Sequence, residues 1–241
     1  MIALLLSAGF GTRLGSLTKV TPKCLIKVGD RALIDYWINM LNRNDISKIV
    51  VNTHYLAPLV KSHLNYLKNP KLEIFYEKKL LGTLGTLKQI IKIYDPEEIC
   101  VIHADNFSIF NYDEFYKSFK KRVSNAHITM MTFCTSSPES CGIIKLKNNI
   151  VIDFFEKIKN PPSNLANGAI YFMDKSAINE IKLISNASDI SKDLIPLFLG
   201  RINCFHNSIY HCDIGDPESL ENTNAFIKKN KNLLLRFFPG L

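Results

Sequence analysis

Apolar positions along this chain fall in short unbroken runs. "IALLLSA", "KIVVNT", "KLEIFYE" and "EICVIHAD" predict strands buried on both faces, because a half-exposed strand would alternate apolar and polar residues. The segments between them follow a different period. "LIDYWINMLNRN" carries Leu33, Tyr36, Trp37, Met40 and Leu41 at helical spacing, and "PLVKSHLNYLK" and "TLGTLKQIIKIY" also read as helices. Strands that alternate with helices predict a parallel sheet covered on both sides. The second half changes character. "AHITMMTFC", "GIIKLK", "IVIDFFE", "GAIYFM" and "SIYHCDIG" read as strands with fewer helices between them. The expected fold is α/β, a three-layer α/β/α sandwich whose sheet is mostly parallel in the N-terminal half and mixed beyond it. No linker-like tract divides the chain, so one domain over residues 1–241 is expected. In such sheets ligands gather at the carboxyl ends of the strands.

Composition narrows the class. Of 241 residues, 46% are hydrophobic, enough for a buried core and too many for a disordered chain. No run approaches the roughly 18 apolar residues of a membrane span. The apolar run Ile2–Leu6 is short for a secretory signal and no basic residue precedes it, so a cytoplasmic protein is expected. The six cysteines, Cys24, Cys100, Cys134, Cys141, Cys204 and Cys212, form no C-x-x-C pair and read as reduced thiols. "CFHNSIYHC" gathers Cys204, His206, His211 and Cys212. Neighbours on a strand point to opposite faces, so His211 and Cys212 would not share a metal, and no structural zinc is expected. The net charge of +8 admits a nucleic acid, an anionic small substrate or a solvated lysine surface. The lysines are scattered and no aromatic residues interleave them in an RNA-binding pattern, which favours the surface reading, then the anionic ligand. The tail "KNKNLLLRFFPGL" carries leucines and phenylalanines that would dock on the core.

The first strand runs into Gly9-Phe10-Gly11-Thr12-Arg13. Glycines allow a sharp turn and close backbone approach to a ligand, successive N–H groups can form an anion nest, and an arginine adds a forked donor for phosphate. Neither common nucleotide fingerprint fits. G-x-G-x-x-G fails because Leu14 holds the third position and Gly15 comes one residue late; G-x-x-x-x-G-K-[ST] fails because Gly11 is too close to Gly9. Asp105 and Asp213 each follow an apolar strand run, and strand-end carboxylates in an α/β sheet can converge as a Mg²⁺ site completed by substrate phosphates.

The longer stretch "LSAGFGTRLGSLTKVTPKCL", Leu6 to Leu25, resembles the signature of sugar-1-phosphate nucleotidyltransferases, roughly L-x-A-G-x-G-T-R-L-x-P-x-T-x-x-x-P-K-x-L, with Ser16 where proline is usual. Further likenesses follow in order. "EKKLLGTLGTL" at 77–87 resembles the base-binding segment of the mannose-1-phosphate guanylyltransferase-like branch, and "HAD" at 103–105 the strand-end aspartate motif. "CGIIKL", "FFEKIKNPPSNLANGAIYF" and "CDIGDPESL" resemble the sugar-binding and terminal motifs, with Cys141 for the usual tyrosine and Asp216 for the usual threonine.

The resemblance implies a Rossmann-like mixed sheet, with the nucleotide in the N-terminal half and the sugar phosphate in the C-terminal half. It implies a nucleotide site at Leu6, Ala8, Gly9, Gly11, Thr12, Gly82 and Thr83, and a sugar-phosphate site at Gly142, Glu156, Lys157 and Asn167. Arg13, Lys23, Asp105 and Lys157 would be catalytic, and Asp105 with Asp213 would hold Mg²⁺. The implied reaction joins an NTP to a sugar 1-phosphate and releases pyrophosphate. Leu80-Leu81-Gly82-Thr83 stands where pyrimidine-specific members carry a glutamine-and-proline pattern, which tilts the base to guanine, and the likeness to the guanylyltransferase branch implies mannose or heptose 1-phosphate as the sugar. The alternatives are uridylyl, thymidylyl or cytidylyl transfer to glucose 1-phosphate or another small phosphate, and a non-catalytic sensor of nucleotide sugars. The partners expected are small-molecule substrates, with neither nucleic acid nor membrane, and a homo-oligomer stays open.

Overall fold

A computed structural model describes residues 1–240. The chain divides into two compact units that interleave in sequence. The first comprises Ile2–Leu80, His103–Phe110 and the chain from Tyr210 onward; the second comprises Leu81–Ile102 and Asn111–Ile209. The division therefore does not fall at mid-chain.

The first unit opens with β1 (Ile2–Leu6), buried at all five positions, as an unbroken apolar run requires. Helix α1 (Leu17–Val20) and the hairpin β2 (Lys27–Val28) and β3 (Arg31–Ala32) lead into α2 (Leu33–Leu41). Then come β4 (Lys48–Thr53), α3 (Ala57–Tyr66) and β5 (Leu72–Tyr76). These strands are parallel in the order β5-β4-β1, with Leu4 opposite Val50 and Val50 opposite Glu73. The second unit supplies α4 (Thr83–Tyr94), which matches "TLGTLKQIIKIY" at both ends, and β6 (Glu98–His103) as far as Ile102. The first unit resumes with β7 (Asn106–Ile109).

The rest of the second unit is α5 (Tyr112–Lys120), β8 (Ile128–Cys134), β9 (Gly142–Lys147), β10 (Ile150–Glu156), β11 (Leu165–Asp174), α6 (Lys175–Leu183) and β12 (Ile202–His206). Its strand order is β6-β11-β8-β12-β10-β9. β11 runs antiparallel to β6 and β8, whereas β12 runs parallel to β8, so the sheet is mixed here, as the loss of intervening helices implies. The first unit closes with β13 (Tyr210–Asp213), antiparallel to β7, then α7 (Pro217–Lys229) and α8 (Lys231–Phe237).

Helices pack on strands in both units, giving the expected α/β fold. The first unit's core holds Trp37, Phe107 and Phe110. The tail joins it through Phe238, whose ring meets Tyr36 and Phe107 while Leu235 stays exposed. In the second unit Phe115 and Phe119 close on Phe172. No helix among the described residues is long and apolar enough to cross a membrane.

Candidate active site

The carboxyl end of β1 organises the first unit's polar cluster. Leu6 is buried, and its carbonyl accepts a hydrogen bond from Ala104 N at 3.0 Å, which sets Asp105 beside the glycine turn. The Asp105 carbonyl accepts from Ile214 N at 3.1 Å, which draws in the end of β13 and Asp213. Two backbone bonds thus bring together segments about a hundred residues apart.

The turn itself is pinned from several sides. Ser7 N donates to Asn52 Oδ1 at 2.6 Å, Ser7 Oγ donates to the Asn52 carbonyl, and Asn52 Nδ2 donates to Glu77 Oε1 at 2.7 Å. Glu77 is itself buried. Ala8 is buried, whereas Gly9 and Thr12 are exposed. Gly11 stands at φ +65°, where side chains are strained, and its carbonyl accepts from Thr18 Oγ1 at 3.0 Å. Asn52, Glu77 and Thr18 had no assigned role in the sequence. Their one signal is a polar residue at the end of an apolar strand or inside a matched motif.

Four predicted residues meet here. Lys23 Nζ lies 2.8 Å from Asp105 Oδ2 and 3.1 Å from Asp213 Oδ1, and Arg13 Nη2 lies 3.1 Å from Asp213 Oδ2. The Lys23 side chain is only 9% exposed. Burial works against its charge, yet the two carboxylates prevail and raise its pKa, so it is a cation. Burial also pushes the Asp105 carboxyl up, but the positive charge of Lys23, helped by His103, holds it below its ordinary value. Gly215 is a further residue that the motif contained without a role. A methyl group there would lie 2.8–3.0 Å from the Arg13 guanidinium, so any larger residue would push that group from its present place. Asp216, the departure from threonine, caps α7: its carboxylate accepts from Ser219 N, and the Ser219 hydroxyl accepts in return from Asp216 N. Aspartate does this work as well as threonine.

The donor chemistry suits Mg²⁺. Two carboxylates from different strand ends converge on a single cationic atom, Lys23 Nζ, and hard oxygen donors of this kind favour Mg²⁺ with phosphate oxygens completing the shell. No group of three or more His, Cys, Asp or Glu side chains able to hold a metal occurs among the described residues, so a third oxygen donor would come from substrate or water.

The second unit holds the remaining predicted residues. Gly82, at φ +76°, precedes α4, and a methyl group there would collide with the Ser188 carbonyl. That carbonyl accepts from Leu84 N at 2.9 Å and Gly85 N at 3.4 Å, and Thr83 Oγ1 accepts from Ile190 N at 2.8 Å. The start of α4 is therefore locked to the segment around residue 188, and two of its first-turn donors are used internally. Gly142 pairs with Glu156 in the β9–β10 register, and a methyl group on it would lie 2.8 Å from Glu156 Oε2. Burial raises the Glu156 pKa, with Lys157 pulling the other way and Asp189 adding to the rise. Lys157 stands at φ +51° with an exposed side chain, its N–H donating to the Cys141 carbonyl and its Nζ 3.7 Å from Glu156 Oε1. The tyrosine-to-cysteine departure at 141 leaves this backbone bond intact. Asn167 faces inward along its own strand: Nδ2 donates to the Tyr171 hydroxyl at 2.7 Å and Oδ1 accepts from Ala169 N at 2.9 Å. These bonds fix the irregularity of β11 between Asn167 and Tyr171. Gly142, Glu156 and Lys157 are thus brought together, and the pairing of β11 with β9 at Ala166 and Ile143 places Asn167 next to Gly142, with its side chain bonded within its own strand.

Comparisons with known proteins place the chain among its relatives. The chain is 28% identical to a Sulfolobus acidocaldarius protein assigned as a mannose-1-phosphate guanyltransferase, over 98% of this chain and 64% of that one. It is 29% identical to the mannose-1-phosphate guanyltransferase of Aspergillus oryzae (97% and 67%) and 29% identical to the glucose-1-phosphate adenylyltransferase of Fervidobacterium nodosum (93% and 60%). The chain therefore spans about two thirds of the length of the curated relatives it matches. Two solved structures share the fold: a Bacillus anthracis protein assigned as a glucose-1-phosphate thymidylyltransferase, at a TM-score of 0.81 and 23% identity over 94% of this chain and 95% of that one, and HddC from Yersinia pseudotuberculosis, at 0.78 and 21% over 94% and 99%. The profile described as "Nucleotidyl transferase" matches residues 2–230, nearly the whole chain. On that match the chain belongs to the nucleotidyl transferase family.

Proposed function

We propose that this chain transfers a nucleotidyl group from an NTP to a sugar 1-phosphate, with GTP and mannose 1-phosphate or a heptose 1-phosphate as the substrates. The observation that carries the reading is the convergence of Arg13, Lys23, Asp105 and Asp213 beside the glycine turn. A phosphate oxygen of the sugar 1-phosphate attacks the α-phosphorus. The bond from that phosphorus to the α,β-bridging oxygen breaks, and pyrophosphate leaves with the electron pair. This chemistry needs positioning and charge neutralisation more than covalent help. The turn at Gly9, Gly11 and Thr12 holds the triphosphate, and Arg13 and Lys23 offset the charge that builds on the leaving group. Asp105 and Asp213 are the residues that would hold Mg²⁺, which would supply further charge neutralisation. In the second unit Lys157 pairs with the sugar phosphate, and Glu156 accepts hydrogen bonds from sugar hydroxyls.

The choice of GTP is supported by the two mannose-1-phosphate guanyltransferases among the relatives and by Leu80–Thr83. Adenylyl transfer to glucose 1-phosphate is the second reading, favoured by an adenylyltransferase of equal identity. Pyrophosphate release measured over a grid of NTPs and sugar 1-phosphates separates the two. The expected result is turnover with GTP and mannose or heptose 1-phosphate, reduced roughly 100-fold or more by Asp105→Asn or Asp213→Asn. Turnover only with ATP and glucose 1-phosphate selects the second reading. Binding of GTP with no pyrophosphate from any pair makes the chain a sensor, a reading opposed by its retention of Arg13, Lys23, Asp105, Lys157 and Asp213.

A further inference from the structure

Two carboxylates placed to share a metal ion repel each other unless a cation lies between them. In this protein that cation is part of the chain. Lys23 Nζ contacts one oxygen of each aspartate, at 2.8 and 3.1 Å, and the second Asp213 oxygen is taken by Arg13. An ammonium bound this way directs its charge at the oxygens that a divalent ion would need at about 2.0–2.1 Å.

We propose that Lys23 is an internal counter-cation that competes with divalent metal for the Asp105–Asp213 pair, so that metal and triphosphate enter together. The inference rests on the assignment of the metal to that pair. When phosphate oxygens reach the glycine turn they offer Lys23 an alternative anion. Its ammonium moves to them, and the carboxylates are released to the metal.

The local geometry suits such an exchange. The Lys23 backbone is anchored: its carbonyl accepts from Ile26 N, Leu25 N donates to the Pro22 carbonyl, and the adjacent Cys24 is buried. Movement is therefore confined to the four-carbon side chain. That side chain runs along Gly11, where a methyl group would lie 3.1 Å from Lys23 Cβ and 3.5 Å from Cδ. A phosphate on the turn would thus arrive beside the Lys23 stem. Charge balance also favours exchange over simple addition. Two carboxylates now face two cations, so a divalent ion added without removal of Lys23 would meet two positive charges at once.

The test uses the full chain and Mn²⁺ as the probe, read by electron paramagnetic resonance and by thermal melting without nucleotide. The wild type is expected to bind Mn²⁺ weakly and to melt at the same temperature with or without it. Lys23→Met, or Lys23→Gln should the first variant fold poorly, is expected to bind Mn²⁺ tighter by on the order of ten-fold or more. It should melt lower than wild type and recover when Mn²⁺ is added. Lys23→Arg should stay weak, and adding Asp105→Asn and Asp213→Asn to Lys23→Met should abolish the gain. Wild type that binds Mn²⁺ as tightly as Lys23→Met overturns the proposal, as does a Lys23→Met chain destabilised without rescue, which would make Lys23 a strut. A parallel titration with GTP separates this failure from that of the metal assignment. Protein-bound Mn²⁺ that still depends on Asp105 and Asp213 leaves the assignment standing and sinks only the competition. Mn²⁺ indifferent to both aspartates removes both.

Discussion

At Gly9 a methyl group would meet no atom within 4 Å, whereas at Gly82 it would collide with the Ser188 carbonyl on a backbone already at φ +76°. The same substitution should therefore separate binding from folding. Gly82→Ala is expected to lower the unfolding free energy by about 1–3 kcal/mol, because both strain and a rigid neighbour oppose it. Gly9→Ala should change stability by less than about 1 kcal/mol in either direction while raising KM for the nucleotide. Urea denaturation and steady-state kinetics on both variants check the contrast, and a Gly9→Ala chain as unstable as Gly82→Ala would refute it. Both glycines were visible in the sequence as motif positions, but their different reasons were not. A motif names a residue without saying whether its missing side chain makes room for a ligand or for the protein. Asn52 and Glu77 illustrate a further gap. A buried carboxylate that holds an asparagine, which in turn holds the first residue of the turn, is a relay of three short contacts, and none of them leaves a periodic trace.

Elements with strong periodicity were legible nearly to the residue, because strand and helix periods are local properties of the chain. The run "IVIDFFE" is β10, and "TLGTLKQIIKIY" is α4. The short strand β7 was not. β7 has four residues and acquires its strand geometry by pairing with β13, about a hundred residues away. Helix α5 did carry a local signal, with Asn111 accepting from Glu114 N as its cap and Tyr112, Phe115 and Phe119 on one face. Helix α6 gives a prediction at this scale. Its cap, Asp174, accepts from Ala177 N and pairs with Arg122 and His127. Burial raises its pKa, but these partners outweigh it and hold the carboxyl below its ordinary value. A depressed folded pKa stabilises the protein fully above the unfolded value, near 3.9, and that contribution is lost as pH falls through the folded value. Melting temperature should therefore fall on acidification in wild type, and Asp174→Asn should lower it near neutrality and flatten the acid limb. An acid limb unchanged in slope would show that Asp174 does not contribute to it.

At the scale of the whole molecule the charge of +8 is spread over the surface and partly neutralised in place. Lys48 pairs with Glu73, Lys120 with Glu98, Lys175 and Lys182 with Asp95, and Arg201 with Glu180. Scattered and paired cations do not form the continuous track that binds a phosphate backbone. Random-sequence duplex DNA is therefore expected to give no anisotropy change at about 0.15 M salt, where surface charges are screened beyond ~8 Å. Binding at that salt with a steep salt dependence would restore the nucleic-acid reading.

The sequence by itself determined the local order of strands and helices, since a hydrophobic period is set by neighbouring residues. It also determined the chemistry on offer at the turn, since the spacing of Gly9, Gly11, Arg13 and Lys23 lies within fifteen residues. Only the tertiary structure decided what those charges face. Arg13 meets a carboxylate 200 positions away and Lys23 meets two, 82 and 190 positions away. Those meetings follow from backbone bonds between Leu6 and Ala104 and between Asp105 and Ile214, which depend on strand register and not on local pattern. Whether a lysine is a surface charge or a buried cation between two aspartates is a property of its surroundings, and the fold assembles those surroundings.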